Sequence, residues 1–151
     1  MDKLSITDKI KKAILSKFNT KKTKLKVGFF ENSQYETGEY VASVAFWNEY
    51  GTISKKGERH IPPRPFMRNA LENEANRKKW GAIVKDLAGQ GKKEDAIAEM
   101  LGGIIVGDIQ TEITDGTFEK LAPSTIAKKG DSKPLIDTSF MISQVAFRVE
   151  K

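Results

Sequence analysis

FWNEYGTISKKGERHIPPRPFMR, residues 46–68, is the stretch on which the fold turns. It holds the chain's only histidine, three of its five prolines and one of its two tryptophans. It runs from the end of one helical pattern to the start of the next. Val41, Val44 and Ala45 just upstream recur at helical spacing. The β-branched and aromatic content of residues 40–50 keeps a strand in competition. Gly51 directly after Tyr50 fits a left-handed helix C-cap and favours a short helix. Residues 52–60 then read as a surface loop. Ile61-Pro62-Pro63-Arg64-Pro65 must be extended, because a residue before proline is kept out of the helical region and consecutive prolines favour polyproline II. Pro65 is placed as the first residue of the next helix, where its missing N–H costs nothing. That helix carries Phe66, Met67, Ala70 and Leu71 on one face. Phe66 and Met67 are expected in the core and Trp47 is expected to be structural, with an interaction surface between them.

Upstream, KLKVGFF (residues 24–30) alternates as a strand, with Leu25, Val27 and Phe29 on one face. Residues 31–39 are polar and read as a surface excursion, not a tight hairpin. Residues 5–18 carry Ile6, Ile10, Ile14 and Phe18 at four-residue spacing, an amphipathic helix with its lysines opposite.

Downstream, residues 72–79 are polar before Trp80, Ile83, Val84 and Leu87 resume an apolar pattern. This predicts either one long helix or a break near Gly81. Residues 89–93 form a linker. Residues 94–114 give the broadest helical stripe: Ile97, Met100, Leu101, Ile104, Ile105, Ile109 and Ile113. Gly103 and Gly107 within it admit a close neighbour, either the sheet or the same helix of another subunit. Residues 123–127 suggest a helical turn. Asp137-Thr138 suggest a cap for another turn through Met141 and Ile142. Val145, Phe147 and Val149 alternate in a last strand, the natural partner of residues 24–30. The expectation is one α+β domain over residues 1–151. Helices pack on a small, mainly antiparallel sheet, with long surface loops.

The chain has 38% hydrophobic and 30% charged residues, which fits a globular protein. No apolar run approaches the ~20 residues that span a bilayer, so no membrane partner is expected. The N-terminal segment lacks the continuous apolar region of a secretory signal. Without cysteine there are no disulfides or thiolate sites. The net charge is +6, with lysines concentrated early. They read as a solvated helix face followed by a charged turn. The alternative is a nucleic-acid-binding module using Lys21, Lys22, Lys24 and Lys26.

Catalytic equipment is sparse. No phosphate-binding loop, dinucleotide fingerprint, HExxH or nucleophile elbow occurs. His60 with Glu58 or Asp137 is a weak hydrolase reading set against an ordinary polar loop histidine. Asp108 and Glu112, four residues apart, could hold a divalent ion, but a solvated or intersubunit surface is the favoured reading. Neither catalytic residues nor cofactors nor metals are expected.

Two motifs carry a resemblance. Asn48-Glu49-Tyr50-Gly51-Thr52, a charged loop, and Ile61-Pro62-Pro63-Arg64-Pro65-Phe66-Met67-Arg68 resemble the tail-completion (neck, head–tail joining) proteins of tailed bacteriophages. These are grouped with minor tail protein Z and virion morphogenesis proteins. Leu121-Ala122-Pro123-Ser124-Thr125 and Lys133-Pro134-Leu135-Ile136-Asp137-Thr138 agree in order and spacing, with Ser139 where the pattern suggests glycine. The likeness spans roughly residues 24–150. It implies a non-enzymatic virion protein at the head-proximal end of the tail, made in the host cytoplasm. It implies a ring, expected to be a hexamer, that contacts the tail tube or terminator protein and the head connector. Genomic DNA would pass through that ring. Trp47, Asn48, Glu49, Gly51, Pro62, Pro63, Arg64, Pro65 and Phe66 would be its structural motif. The loops holding Thr52, Ser54, Lys55, Lys56, Glu58 and Arg59, and Lys128, Lys129, Asp131 and Lys133, would meet partners. Ordering on contact would suit sequential assembly.

Overall fold

A computed structural model of the chain describes residues 23–53, 55–57, 59–118 and 139–151, with the backbone alone at residues 59 and 60. The helix expected over residues 5–18, the turn at 123–127 and the cap at Asp137-Thr138 lie outside the described residues.

The fold is α+β. Strand β1 (Lys24–Gly28) pairs antiparallel with β4 (Ala146–Glu150), so the two expected strands are partners. Lys24 lies opposite Glu150 and Gly28 opposite Ala146. Alternation sends Leu25, Val27, Phe147 and Val149 towards one face and leaves Lys24, Lys26, Arg148 and Glu150 more open. The helices are α1 (Val41–Tyr50), α2 (Phe66–Glu72), α3 (Glu74–Gly89), α4 (Glu94–Asp115) and α5 (Phe140–Ser143).

The long helix α4 is the spine. Ala98, Gly102, Ile105, Ile109 and Ile113 recur every three or four residues and are buried. The sheet, α2 and α3 all pack on α4. Val41, Ala45, Phe66, Ala70, Met141 and Val145 close the core around its C-terminal half. Phe66 is 1% exposed, and Phe29 meets its ring edge-on at 6.1 Å.

Several expectations are corrected. The polar stretch after residue 71 contains a break, but at Asn73 and not near Gly81, which lies inside α3. Asn73 leaves the helical region at ψ 119, and its side chain accepts the Asn76 N–H, capping α3. A side-chain cap is a cheaper interruption than a glycine inside a regular helix. Pro65 is the N-cap of α2, one residue earlier than its expected place.

The excursion over residues 31–39 does contain a tight turn. Tyr35 donates to the Glu39 carbonyl and Gly38 donates back to that of Tyr35. The ring of Tyr35 packs edge-on against Phe140 at 5.3 Å. Residues 52–61 are not simply a loop. Strand β2 (Thr52–Ile53) pairs with β3 (Arg59–Ile61), so Thr52 and Arg59 are strand residues. Gly51 has φ 74 but ψ 175, an extended exit into β2 and not a left-handed cap.

Within the chain, Gly103 and Gly107 do not meet the sheet; an added Cβ would meet nothing within 4 Å at either. The close approach is at Gly102, where a Cβ would overlap the Phe147 ring of β4. Position 102 points at the sheet, and its two neighbours on the stripe do not.

Candidate assembly surface

The two halves of the 46–68 stretch are locked together by buried polar groups. Arg64 is 5% exposed. Its N–H donates to the Asn48 carbonyl at 2.6 Å, and its Nη1 donates to Asn48 Oδ1 at 3.0 Å. The Asn48 amide in turn donates to the Val44 carbonyl, which fixes its orientation on α1.

Glu49, also 5% exposed, reaches from α1 to the start of α2. Its carboxylate accepts the Met67 N–H at 2.9 Å and the Arg68 N–H at 3.2 Å. Arg68 Nε adds a third bond at 3.0 Å. A helix N-terminus leaves its first N–H groups without intrahelical partners and favours negative charge, and Glu49 meets both needs. The Ile61–Pro63 backbone passes directly over Gly51, where an added Cβ would lie 2.7 Å from the Ile61 carbonyl oxygen. Only glycine fits under that crossing, and its positive φ is free of penalty there. Asn48, Glu49, Gly51, Arg64 and Arg68 are therefore one structural clamp.

Outside the clamp lies an aromatic face. Trp47 is 40% exposed, not a core residue. Phe46 is 60% and Ile53 75% exposed, and Tyr40 and Tyr50 are also open. The other large exposed apolar side chains among the described residues are Leu71 and Met100. The Phe46 and Tyr50 rings stack at 4.7 Å, and the Arg68 guanidinium lies over Tyr50 at 5.3 Å. Val41, Ala45 and Glu49 take the inner face of α1, so the aromatics at positions 46, 47 and 50 face outward. The aromatic content of the helix was legible in the sequence. Which side faced the core was not, because apolar residues occur on both.

The expected contact residues divide in their placement. Lys55 and Lys56 are exposed at the turn of the β2–β3 hairpin. Ser54, Glu58, Lys128, Lys129, Asp131 and Lys133 lie outside the described residues, as do the motif segments 121–125 and 133–138. Pro62, Pro63 and Pro65 form the extended approach to α2.

Most groups of the alternative chemistries fall outside the described residues. Lys21, Lys22, Glu58, Asp137 and the side chain of His60 are not among the described groups. Lys24 is exposed, and Lys26, also exposed, pairs with Glu150 at 2.6 Å. Asp108 and Glu112 are not a paired ion site. Asp108 takes Lys79 Nζ at 2.5 Å and Trp80 Nε1 at 2.7 Å, fastening α3 to α4. Glu112 accepts from Asn69 on α2. Among the described residues, no group of three or more metal-ligating side chains occurs, and no helix is long and apolar enough to cross a membrane.

Two carboxylates are held below their ordinary pKa range. Lys151 hydrogen-bonds Asp95, and the Ala96 N–H adds to the effect. Lys26 does the same for Glu150. Both pairs secure the C-terminal strand, one to α4 and one to β1.

The chain matches no family model, no curated protein and no solved structure.

Proposed function

We propose that the chain is a structural virion protein of a tailed bacteriophage. It completes the head-proximal end of the tail and joins it to the head connector as an oligomeric ring. The observation carrying this reading is the clamp. The two sequence motifs of the resemblance, 48–52 and 61–68, meet through Glu49–Arg68, Asn48–Arg64 and the Gly51 crossing. A clamp of this kind holds the hairpin and the aromatic face in a set orientation. Exposed aromatic side chains with an arginine among them, as Arg68 lies over Tyr50, match the residue types enriched at contact surfaces.

Ring formation needs one interface repeated around an axis. A rigid corner with an apolar face and a projecting basic hairpin suits that use. Electron microscopy of particles made without the protein tests the assignment. DNA-filled heads and separate tails are the expected products. Normally joined virions would overturn it.

A further inference from the structure

The sheet of β1 and β4 has one covered face and one open face. Leu25 and Val27 pack on the core, and Phe147 stands over Gly102 of α4. On the other face Lys24, Lys26, Ala146, Arg148 and Glu150 are all exposed. The register puts Lys26 directly opposite Arg148 and Lys24 opposite Glu150. Like charges directly opposite each other weaken an antiparallel pair. Here the two cations turn apart. Lys26 Nζ reaches diagonally to Glu150 at 2.6 Å, and the Arg148 guanidinium lies over the Phe30 ring at 3.9 Å. Glu150 is the one carboxylate on the two strands, set against Lys24, Lys26 and Arg148. Among the described residues, neither the Lys24 ammonium nor the Arg148 guanidinium donates a hydrogen bond. An anion laid between Lys26 and Arg148 would remove their repulsion.

Charge alone would suit any polyanion. The stacked guanidinium narrows the choice, because it adds a plane. One side of that plane rests on Phe30, and Arg148 is exposed, so the other side is open to a second ring. Unpaired bases stack on aromatic rings and on arginine planes, while lysines beside them follow the phosphates. Lys24 and Lys26 stand two residues apart on one strand, about 7 Å along it, and line a path past the stack. An acidic peptide would use the lysines and have no need of the plane. We propose that the open face of β1 and β4 binds single-stranded nucleic acid. A base stacks on Arg148 over Phe30, and the adjoining phosphates lie along Lys24 and Lys26. This site does not depend on the assembly reading above, which stands or falls by the particles made without the protein.

Fluorescence anisotropy of a labelled oligothymidylate, titrated with the full chain over a series of salt concentrations, supplies the test. Lys24→Ala removes one phosphate contact and is expected to make the logarithmic salt dependence shallower by about 0.7, the value for a single strand. Arg148→Lys keeps the charge and loses the plane. It is expected to bind about tenfold more weakly with the salt dependence unchanged. Both side chains are exposed, so both variants are expected to keep the melting temperature of the parent. Lys55→Ala with Lys56→Ala, at the exposed hairpin turn, is expected to leave binding unchanged. A parent chain that does not bind the oligonucleotide overturns the proposal. Equal affinity of Arg148→Lys and the parent also overturns it, since charge alone would then hold the strand. Loss of binding in the hairpin variant, with none in Lys24→Ala, would move the contact to the hairpin and overturn it too. Polyglutamate that competes as well as the oligonucleotide at equal charge would replace it with an acidic protein surface.

Discussion

The Glu49 carboxylate closes the N-terminus of a helix to which it does not belong, and Arg68 is held by it twice. Its backbone N–H and its Nε both donate to Glu49 Oε1, at 3.2 and 3.0 Å. Replacing Glu49 by alanine strands the Met67 and Arg68 N–H groups in a partly buried corner. The expected loss is about 1.5–3 kcal/mol, the range for hydrogen bonds to charged groups. Glu49→Gln keeps the shape and gives a smaller loss. Urea denaturation of the two variants against the parent checks the order, and equal stability of all three would show that the cap is dispensable.

The corner shows what local sequence could and could not give. Prolines force an extended lead-in wherever they stand, so the path of residues 61–65 was readable. The partner strands β1 and β4 were readable from their shared alternation. The burial of Glu49 was not, because a glutamate near a helix end ordinarily faces water. Its acceptor role depends on a helix start 17 residues later. The hairpin was missed for a related reason: two- and three-residue strands leave too short a period to detect.

Phe66 and Trp47 should respond in opposite ways. Phe66 is fully enclosed between Phe29 and the core, so Phe66→Ala is expected to cost about 3–5 kcal/mol. Trp47 is 40% exposed, and Trp47→Ser should change stability by less than about 1 kcal/mol. Chemical denaturation followed by circular dichroism measures both. A large loss at Trp47 would mean that the outward face of α1 is packed in the folded chain.

The three glycines of α4 separate by what stands over them. Gly102→Ala forces a methyl group into the Phe147 ring and should destabilise by about 1–3 kcal/mol, the usual range for overpacking. Gly103→Ala and Gly107→Ala meet open space and should stabilise by about 0.5–1 kcal/mol each, by restricting the unfolded chain and improving helix propensity. Thermal melts of the three single variants give the comparison directly. A stabilised Gly102→Ala would show that β4 can move away from α4 at little cost.

Ser139 is the one non-glycine residue with positive φ among the described residues, at φ 60 and ψ −2. It starts α5, and its carbonyl accepts the Ser143 N–H. A side chain in the left-handed region costs about 1–2 kcal/mol, part of which glycine returns as unfolded-state entropy. Ser139→Gly should therefore raise stability by about 0.5–1 kcal/mol. Glycine is also what the resembled pattern suggests at this position. A lower melting temperature for the glycine variant would show that the serine hydroxyl contributes more than the backbone strain removes.

Acid should loosen the C-terminal strand first. Asp95 and Glu150 have folded-state pKa values lowered from 3.8 and 4.5, chiefly by hydrogen bonds from Lys151 and Lys26. A lowered carboxylate pKa means that the unfolded chain binds the proton more readily. The contribution is therefore fully present above the unfolded values and is lost as pH falls through the folded ones. Both pairs are at the surface, so the effect is small and screened by salt. Amide hydrogen-exchange protection across β4, taken relative to the intrinsic exchange rate at each pH, is expected to fall below the ordinary carboxylate range. Asp95→Asn and Glu150→Gln should each flatten that dependence. If β4 protection falls equally in the double variant and the parent, the acid-sensitive groups lie elsewhere in the fold.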